Sequence, residues 1–346
     1  MSRKILFIVN RLGGGGAERV LVTLANNFVV NNEVSICSFL PGKGYTISEK
    51  VKLISFSGNE GKLERVHKLR RLIKKEKPSV VIAFEYFVNM QTCLALLGCN
   101  QKLIVSERND PKINGGRRGQ KELRNLLYIR ADRLVSQTLE AKEYFPNYIQ
   151  RKATVIQNPL KEGLPEVFLK KREKYIVNFC RLEKQKNLPL LIDAFGDFSK
   201  KYPEFILKIY GNGSEKETLV EYIINKRLEN RIFIYPEITN IHEAIIDASM
   251  FVSSSDYEGL SNSMVEAMAI GLPTICTDCP CGGARSIIND KINGLLVPVK
   301  NKQRLCSAMS EIASNDLLAY KLSNNALLIK GKLSVDKIVG QWEKIL

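Results

Sequence analysis

Short apolar runs rich in β-branched residues alternate along the chain with stretches whose apolar positions recur every three to four residues. That rhythm predicts parallel sheets assembled from strand–helix–strand units. Strands are predicted at 5–9, 33–39, 51–54, 80–84, 103–107, 133–137 and 153–156, with helices at 17–30, 63–76, 89–98 and 121–130. Both patterns stop at Asn158, Pro159, Gly163 and Pro165, and a charged run follows at 170–174. This break reads as a linker. The rhythm then restarts, with strands at 175–180, 206–210, 232–235, 250–253, 274–277 and 294–297. Helices are expected at 188–200, 215–227, 241–248, 263–269 and about 302–314. The last segment, 334–346, sets Val335, Ile338, Val339, Trp342 and Ile345 on one helical face. The fold class is therefore α/β, and two similar halves joined by a linker would form a cleft, a usual place for a ligand.

Length and composition fit two ordinary domains: 346 residues, 45% hydrophobic and 25% charged. No apolar run approaches the roughly 18 residues of a membrane span. The apolar run Ile5 to Val9 is too short for a signal peptide and reads as a first buried strand, so a cytoplasmic protein is expected. Charge adds something new. The net charge is +16, and residues 1–160 carry +14 of it, with 27 Lys and Arg against 13 Asp and Glu. An anionic partner should meet the first half.

Eight cysteines without a secretion signal read as reduced core thiols. Cys276, Cys279 and Cys281 lack the second cluster or nearby histidine that would complete a zinc site, so no metal is expected. His67 and His242 sit within helical patterns without a partner motif and are expected at the surface or rim.

Four motifs carry candidate chemistry. Gly13 to Gly16 follow the first strand and open a helix, where backbone N–H groups could meet a phosphate; a plain strand-to-helix turn would use the same glycines. Arg181 and Lys186 follow the first strand of the second half and could neutralise a departing diphosphate; taken alone, a surface charge cluster would look the same. Gly211 and Gly213 form a tight turn that a nucleotide could approach. Most specific is the stretch from Asp256 to Ala269. It sets Glu258 in a turn, a helix start near Ser261, Asn262 and Ser263, and Glu266 among Val265, Ala267 and Met268. A carboxylate in that apolar setting is a poor surface charge and a good acceptor for ribose hydroxyls.

The Glu258-to-Glu266 spacing, the Arg181/Lys186 pair, Gly211 and Gly213, and the first-strand glycine loop fall in one order. So do Gly271, Pro273, Gly282, Gly283 and Asn293 to Pro298. Together they resemble the retaining glycosyltransferases of family 4. The resemblance implies the GT-B fold, with two Rossmann-like domains whose parallel sheets face each other across a cleft. Residues 1–160 would form the acceptor domain and 174–330 the nucleotide-sugar domain, with the helix at 334–346 packing back on the first.

It also implies roles for single residues. Arg181 and Lys186 would grip the donor diphosphate as it leaves, with the amides of Gly15 and Gly16 beside them. Glu258 would contact hydroxyls of the donor sugar. Gly211, Gly213, Gly259, Leu260, Ser261 and Asn262 would line the donor, and Glu266 would hold its ribose. Transfer would retain the anomeric configuration and need no metal or other cofactor. Many relatives place a histidine in the first domain; here that region carries Glu85, Glu107 and Arg108, and the last two are candidates for handling the acceptor.

The phrase Ser106 to Pro111 is similar to bacterial enzymes that build capsular, exopolysaccharide or lipid-linked glycans, mostly from UDP-hexoses or UDP-N-acetylhexosamines. A polyprenyl-pyrophosphate-linked acceptor would place the protein on the inner face of the plasma membrane. The basic helix bearing Arg70, Arg71, Lys74 and Lys75, with Arg117 and Arg118 in a following loop, would meet anionic lipid. A nucleic-acid-binding protein would share the charge, but 62–77 contains no aromatic ring. The glycine frame disfavours a dehydrogenase, which needs glycine where Glu18 stands. A UDP-sugar 2-epimerase of the same architecture is the nearest enzymatic rival.

Overall fold

The computed structural model describes residues 2–42, 44–114, 118–168 and 170–346. The chain divides into two compact units, Met1–Pro159 with Ser334–Leu346, and Leu160–Leu333.

In the first unit seven parallel strands form one sheet. In chain order they are β1 (Lys4–Arg11), β2 (Glu33–Leu40), β3 (Lys52–Ser55), β4 (Val80–Phe84), β5 (Lys102–Ser106), β6 (Arg133–Ser136) and β7 (Ala153–Val155). Their spatial order is β3-β2-β1-β4-β5-β6-β7. Ile5 to Val9 are buried without alternation, as expected for a central strand covered on both faces. Val335–Glu343 is helical and closes this unit. Its Trp342 is fully buried and stacks on Phe84, with ring centroids 5.8 Å apart. Truncating a buried aromatic of this kind costs about 3–5 kcal/mol.

The second unit repeats the plan with β8 (Glu173–Phe179), β9 (Ile206–Tyr210), β10 (Ile232–Tyr235), β11 (Ala248–Ser253), β12 (Thr274–Asp278) and β13 (Leu295–Pro298), in the order β10-β9-β8-β11-β12-β13. β8 is central, flanked by β9 and β11, and the chain reverses its direction of travel across the sheet between those neighbours. The carboxyl ends of strands on either side of such a reversal leave a crevice that open α/β sheets use for ligands. Leu191, Ile192, Phe195 and Phe198 of the helix Leu188–Lys201 pack with Leu207 and Ile209 of β9 to form the core of this unit.

The sequence pattern misses one long helix, Asp316–Ala326. Leu317 and Tyr320 are 83% and 68% exposed there, which blurs the apolar stripe. The helix expected at 241–248 stops at Ile245, because β11 begins at Ala248.

Candidate active site

The loop after β8 is held by the loop after β9. Cys180 N donates to Tyr210 O at 3.0 Å, Leu182 N to Asn212 O at 2.8 Å and Glu215 N to Leu182 O at 3.0 Å. This packing needs glycine. A Cβ on Gly211 would overlap the Cys180 carbonyl, and one on Gly213 would overlap the Leu182 carbonyl. Expected to line a donor, both residues shape the loop that carries Arg181 and Lys186.

That loop is in turn laced to the one after β11. Ser254 Oγ donates to the carbonyls of Lys186 (2.9 Å) and Asn187 (3.0 Å). Gln185 Nε2 donates to Tyr257 O at 2.9 Å, Asp256 N to Gln185 O at 3.0 Å, and Asn187 Nδ2 to Asp256 Oδ1 at 2.7 Å. Asn187 takes φ 43° and caps the helix Leu188–Lys201, so the lysine before it is placed by a fixed turn.

Lys186 Nζ then meets Glu258 Oε2 at 2.5 Å, and Ser255 Oγ donates to the same oxygen at 3.0 Å. The lysine and glutamate side chains are only 10% and 20% exposed. Burial alone would lower the Lys186 pKa, but the carboxylate beside it outweighs burial and raises it. The lysine is held charged. Arg181, five residues earlier, is exposed.

Glu258 and Gly259 border a small recess with Ser255, Ser261, Cys276 and Cys279. Burial pushes the Cys279 thiol up to about 12 and the Cys276 thiol well above its ordinary value, so both remain protonated. Among the described residues no group of three or more His, Cys, Asp or Glu is placed to hold a metal ion.

Ser261 caps the helix Asn262–Ala269, and Leu260 beside it is buried. Glu266 lies in this helix at 7% exposure, and His242 Nε2 stands 2.9 Å from its Oε2. Expected at the surface or rim, His242 is only 4% exposed and edge-on to Phe179. Sequence reading missed it because its partner is 24 residues away. The structure thus groups Lys186 with Glu258, and Glu266 with His242, all in the second unit.

The first unit departs further from expectation. Glu18 Oε2 accepts from the amides of Gly13 and Gly15, both at 2.8 Å. The Gly15 N–H expected at a phosphate is therefore bound within the loop, while Gly16 is the first residue of the helix Gly16–Phe28. Glu107, expected to face an acceptor, is 1% exposed and accepts from Tyr128 Oη at 2.5 Å. Its backbone is tied to β6, Glu107 N donating to Val135 O at 2.9 Å, and its side chain is turned into the core. The Arg108 guanidinium lies over the rings of Phe84 and Trp342 and donates to Asn158 Oδ1 at 2.9 Å; burial lowers its pKa to about 9.

Arg70 also leaves its expected surface role. Its guanidinium donates to the carbonyls of Ala95 (3.0 Å) and Leu97 (2.7 Å) at the end of a neighbouring helix. Arg71, Lys74 and Lys75 are exposed. Arg117 lies outside the described residues, as does the side chain of Arg118, which opens the helix Arg118–Leu127. No helix among the described residues is long and apolar enough to cross a membrane.

The chain thus carries a doubled α/β plan, with a cation and a carboxylate joined across the reversal point of the second sheet. The chain belongs to the family "Glycosyl transferases group 1", whose sequence model matches residues 146–328, and it is a glycosyltransferase. Two Campylobacter jejuni relatives align over nearly its whole length. One is GalNAc-alpha-(1->4)-GalNAc-alpha-(1->3)-diNAcBac-PP-undecaprenol alpha-1,4-N-acetyl-D-galactosaminyltransferase, 26% identical over 99% of this chain and 98% of its own. The other is N-acetylgalactosamine-N,N'-diacetylbacillosaminyl-diphospho-undecaprenol 4-alpha-N-acetylgalactosaminyltransferase, 27% identical over 94% of each. The fold matches Anabaena HepE in complex with UDP and glucose, with a TM-score of 0.87 at 19% identity, covering 99% of both chains. The architecture is thus the GT-B type expected from the sequence.

Proposed function

We propose that the protein moves a hexose or N-acetylhexosamine from a UDP-sugar to a polyprenyl-pyrophosphate-linked glycan at a membrane surface, retaining the anomeric configuration, in the synthesis of a bacterial surface polysaccharide. The observation that carries this reading is the Lys186–Glu258 pair at the reversal point of the second sheet. It puts a fixed positive charge beside a carboxylate that can accept sugar hydroxyls.

In the proposed reaction the bond between the sugar C1 and the diphosphate oxygen breaks as the acceptor hydroxyl attacks C1 from the same face. The hydroxyl proton passes to the departing diphosphate. Lys186 and Arg181 stabilise the charge that develops there, the role of preorganised donors in other transfer enzymes. Glu258 orients the sugar and Glu266 holds the ribose. Because two cations serve the diphosphate, transfer is proposed to proceed without a metal, and full activity in EDTA would accord with that.

The acceptor reading draws on the two Campylobacter relatives, whose names specify undecaprenol-linked glycans. Exposed Arg71, Lys74 and Lys75 suit an anionic bilayer on the inner face of the plasma membrane. The test is to incubate the protein with a panel of UDP-sugars and a polyprenyl-pyrophosphate glycan, weigh the product and assign its anomeric proton. Growth by one sugar with an α linkage from an α-linked donor is expected. Release of a free 2-epimer without acceptor, or an inverted linkage, would contradict the reading.

A further inference from the structure

The contact between His242 and Glu266 is not required by either helix. Ile241–Ile245 is a single short helix before β11, and Asn262–Ala269 lies beyond it in the chain. Both side chains are buried, at 4% and 7% exposure, and the neighbours of Glu266 are the buried Val265, Ala267 and Met268. A carboxylate in such surroundings is costly unless hydrogen-bonded. The imidazole supplies a donor when Nε2 carries the proton, 2.9 Å from Oε2. The ring is itself fixed, edge-on to Phe179 at 5.7 Å and 85°.

Fixing one oxygen fixes the plane of the carboxylate. A glutamate otherwise turns broadly about its terminal torsion. A carboxylate whose two oxygens lie close to the plane of the two neighbouring ribose hydroxyls can accept from both at once. We infer that His242 is a positioning residue that aims Glu266 at the ribose, and so sets the preference for a ribonucleotide over a 2′-deoxyribonucleotide donor. The inference rests on the proposed role of Glu266 in donor binding.

The test is calorimetric titration of the full chain with UDP and with 2′-deoxy-UDP, for wild type, His242→Leu, His242→Asn and His242→Gln. Wild type is expected to prefer UDP. His242→Leu is expected to lose roughly tenfold in UDP affinity, the scale of one charge-assisted hydrogen bond, with a smaller loss for 2′-deoxy-UDP, which keeps one of the two hydroxyls, so the preference shrinks. His242→Gln, whose amide can donate from the Nε2 position, should restore it; His242→Asn, which is shorter, should not. The Asn and Gln pair decides the matter even if the leucine variant fails to fold.

Equal losses for both nucleotides, or an unchanged preference in both the Leu and Asn variants, would overturn the positioning role and leave His242 as a packing residue. A wild-type protein that binds UDP but does not distinguish it from 2′-deoxy-UDP would instead overturn the ribose role of Glu266. Absence of any UDP binding would overturn the donor assignment itself.

Discussion

Lys186 Nζ stands 2.5 Å from Glu258 Oε2 although 72 residues separate them in the chain. The contact is made by neither residue alone. It depends on Ser254, Gln185 and Asn187 tying two strand-end loops together through backbone and side-chain bonds. A pair so placed has its geometry set before any ligand arrives, which is the condition for electrostatic stabilisation of a leaving group.

Arg181 and Lys186 should therefore respond differently to truncation. Arg181→Ala removes an exposed cation, so turnover should fall by about 2.7–4 kcal/mol in transition-state stabilisation with the melting temperature unchanged. Lys186→Ala should reduce turnover on the same scale and also lower the melting temperature, since Glu258 loses its ion-pair partner. Steady-state kinetics and thermal melts on both variants check the contrast; equal melting losses would contradict it.

Gly211→Ala should act through the loop it supports. The added methyl meets the Cys180 carbonyl, and the loop bearing Lys186 must shift to relieve the overlap. A stability loss of about 1–3 kcal/mol is expected, the usual cost of overpacking. Turnover should fall with it. Denaturant unfolding that matches wild type would show that the loop yields without cost.

Glu107 gives a pH signature. Burial raises its pKa above the ordinary 4.5, against the opposing pull of Arg124 and Tyr128. The native state thus holds this proton more tightly than the unfolded chain. Its contribution to stability is complete below the unfolded pKa and is lost as pH rises through the higher folded value. Glu107→Gln lacks this loss, so its melting temperature relative to wild type should climb between pH 4 and pH 8. The gain should be largest at the upper end, where the wild-type carboxyl is most disfavoured by burial. A difference that does not vary with pH would contradict the assignment.

Reversing Arg71, Lys74 and Lys75 to glutamate should release the protein from anionic vesicles. Each basic residue contributes about 1 kcal/mol near such a surface, so co-sedimentation should fall steeply. All three are exposed and should change the fold little. Arg70→Glu would confuse the test, because that side chain holds two backbone carbonyls.

The strands and the linker were readable because burial on both faces leaves unbroken apolar runs such as Ile5 to Val9, and Pro and Gly end them. Lys186 and Glu258 were readable as separate motifs, each following a strand. What the sequence hides is which residues meet. His242 looked like a helix-surface residue because one histidine in a helical pattern carries no periodic signal, and Glu266 lies 24 positions on. Glu107 and Arg108 were acceptor candidates because the resemblance places a histidine in their region of the first domain. In the fold, Glu107 meets Tyr128 and Arg108 lies over the ring of Phe84. Arg70 shared a basic stripe with Arg71, yet the backbone of the next helix takes it.

The account turns on a diphosphate held by the loop after β8. Titration of UDP and UMP into wild type, Arg181→Ala and Lys186→Ala measures this most directly, because UMP lacks the second phosphate. Wild type should bind UDP more tightly than UMP, and Arg181→Ala should lose most of that preference while binding UMP as before. A preference that survives in both Arg181→Ala and Lys186→Ala would place the diphosphate elsewhere and contradict the account.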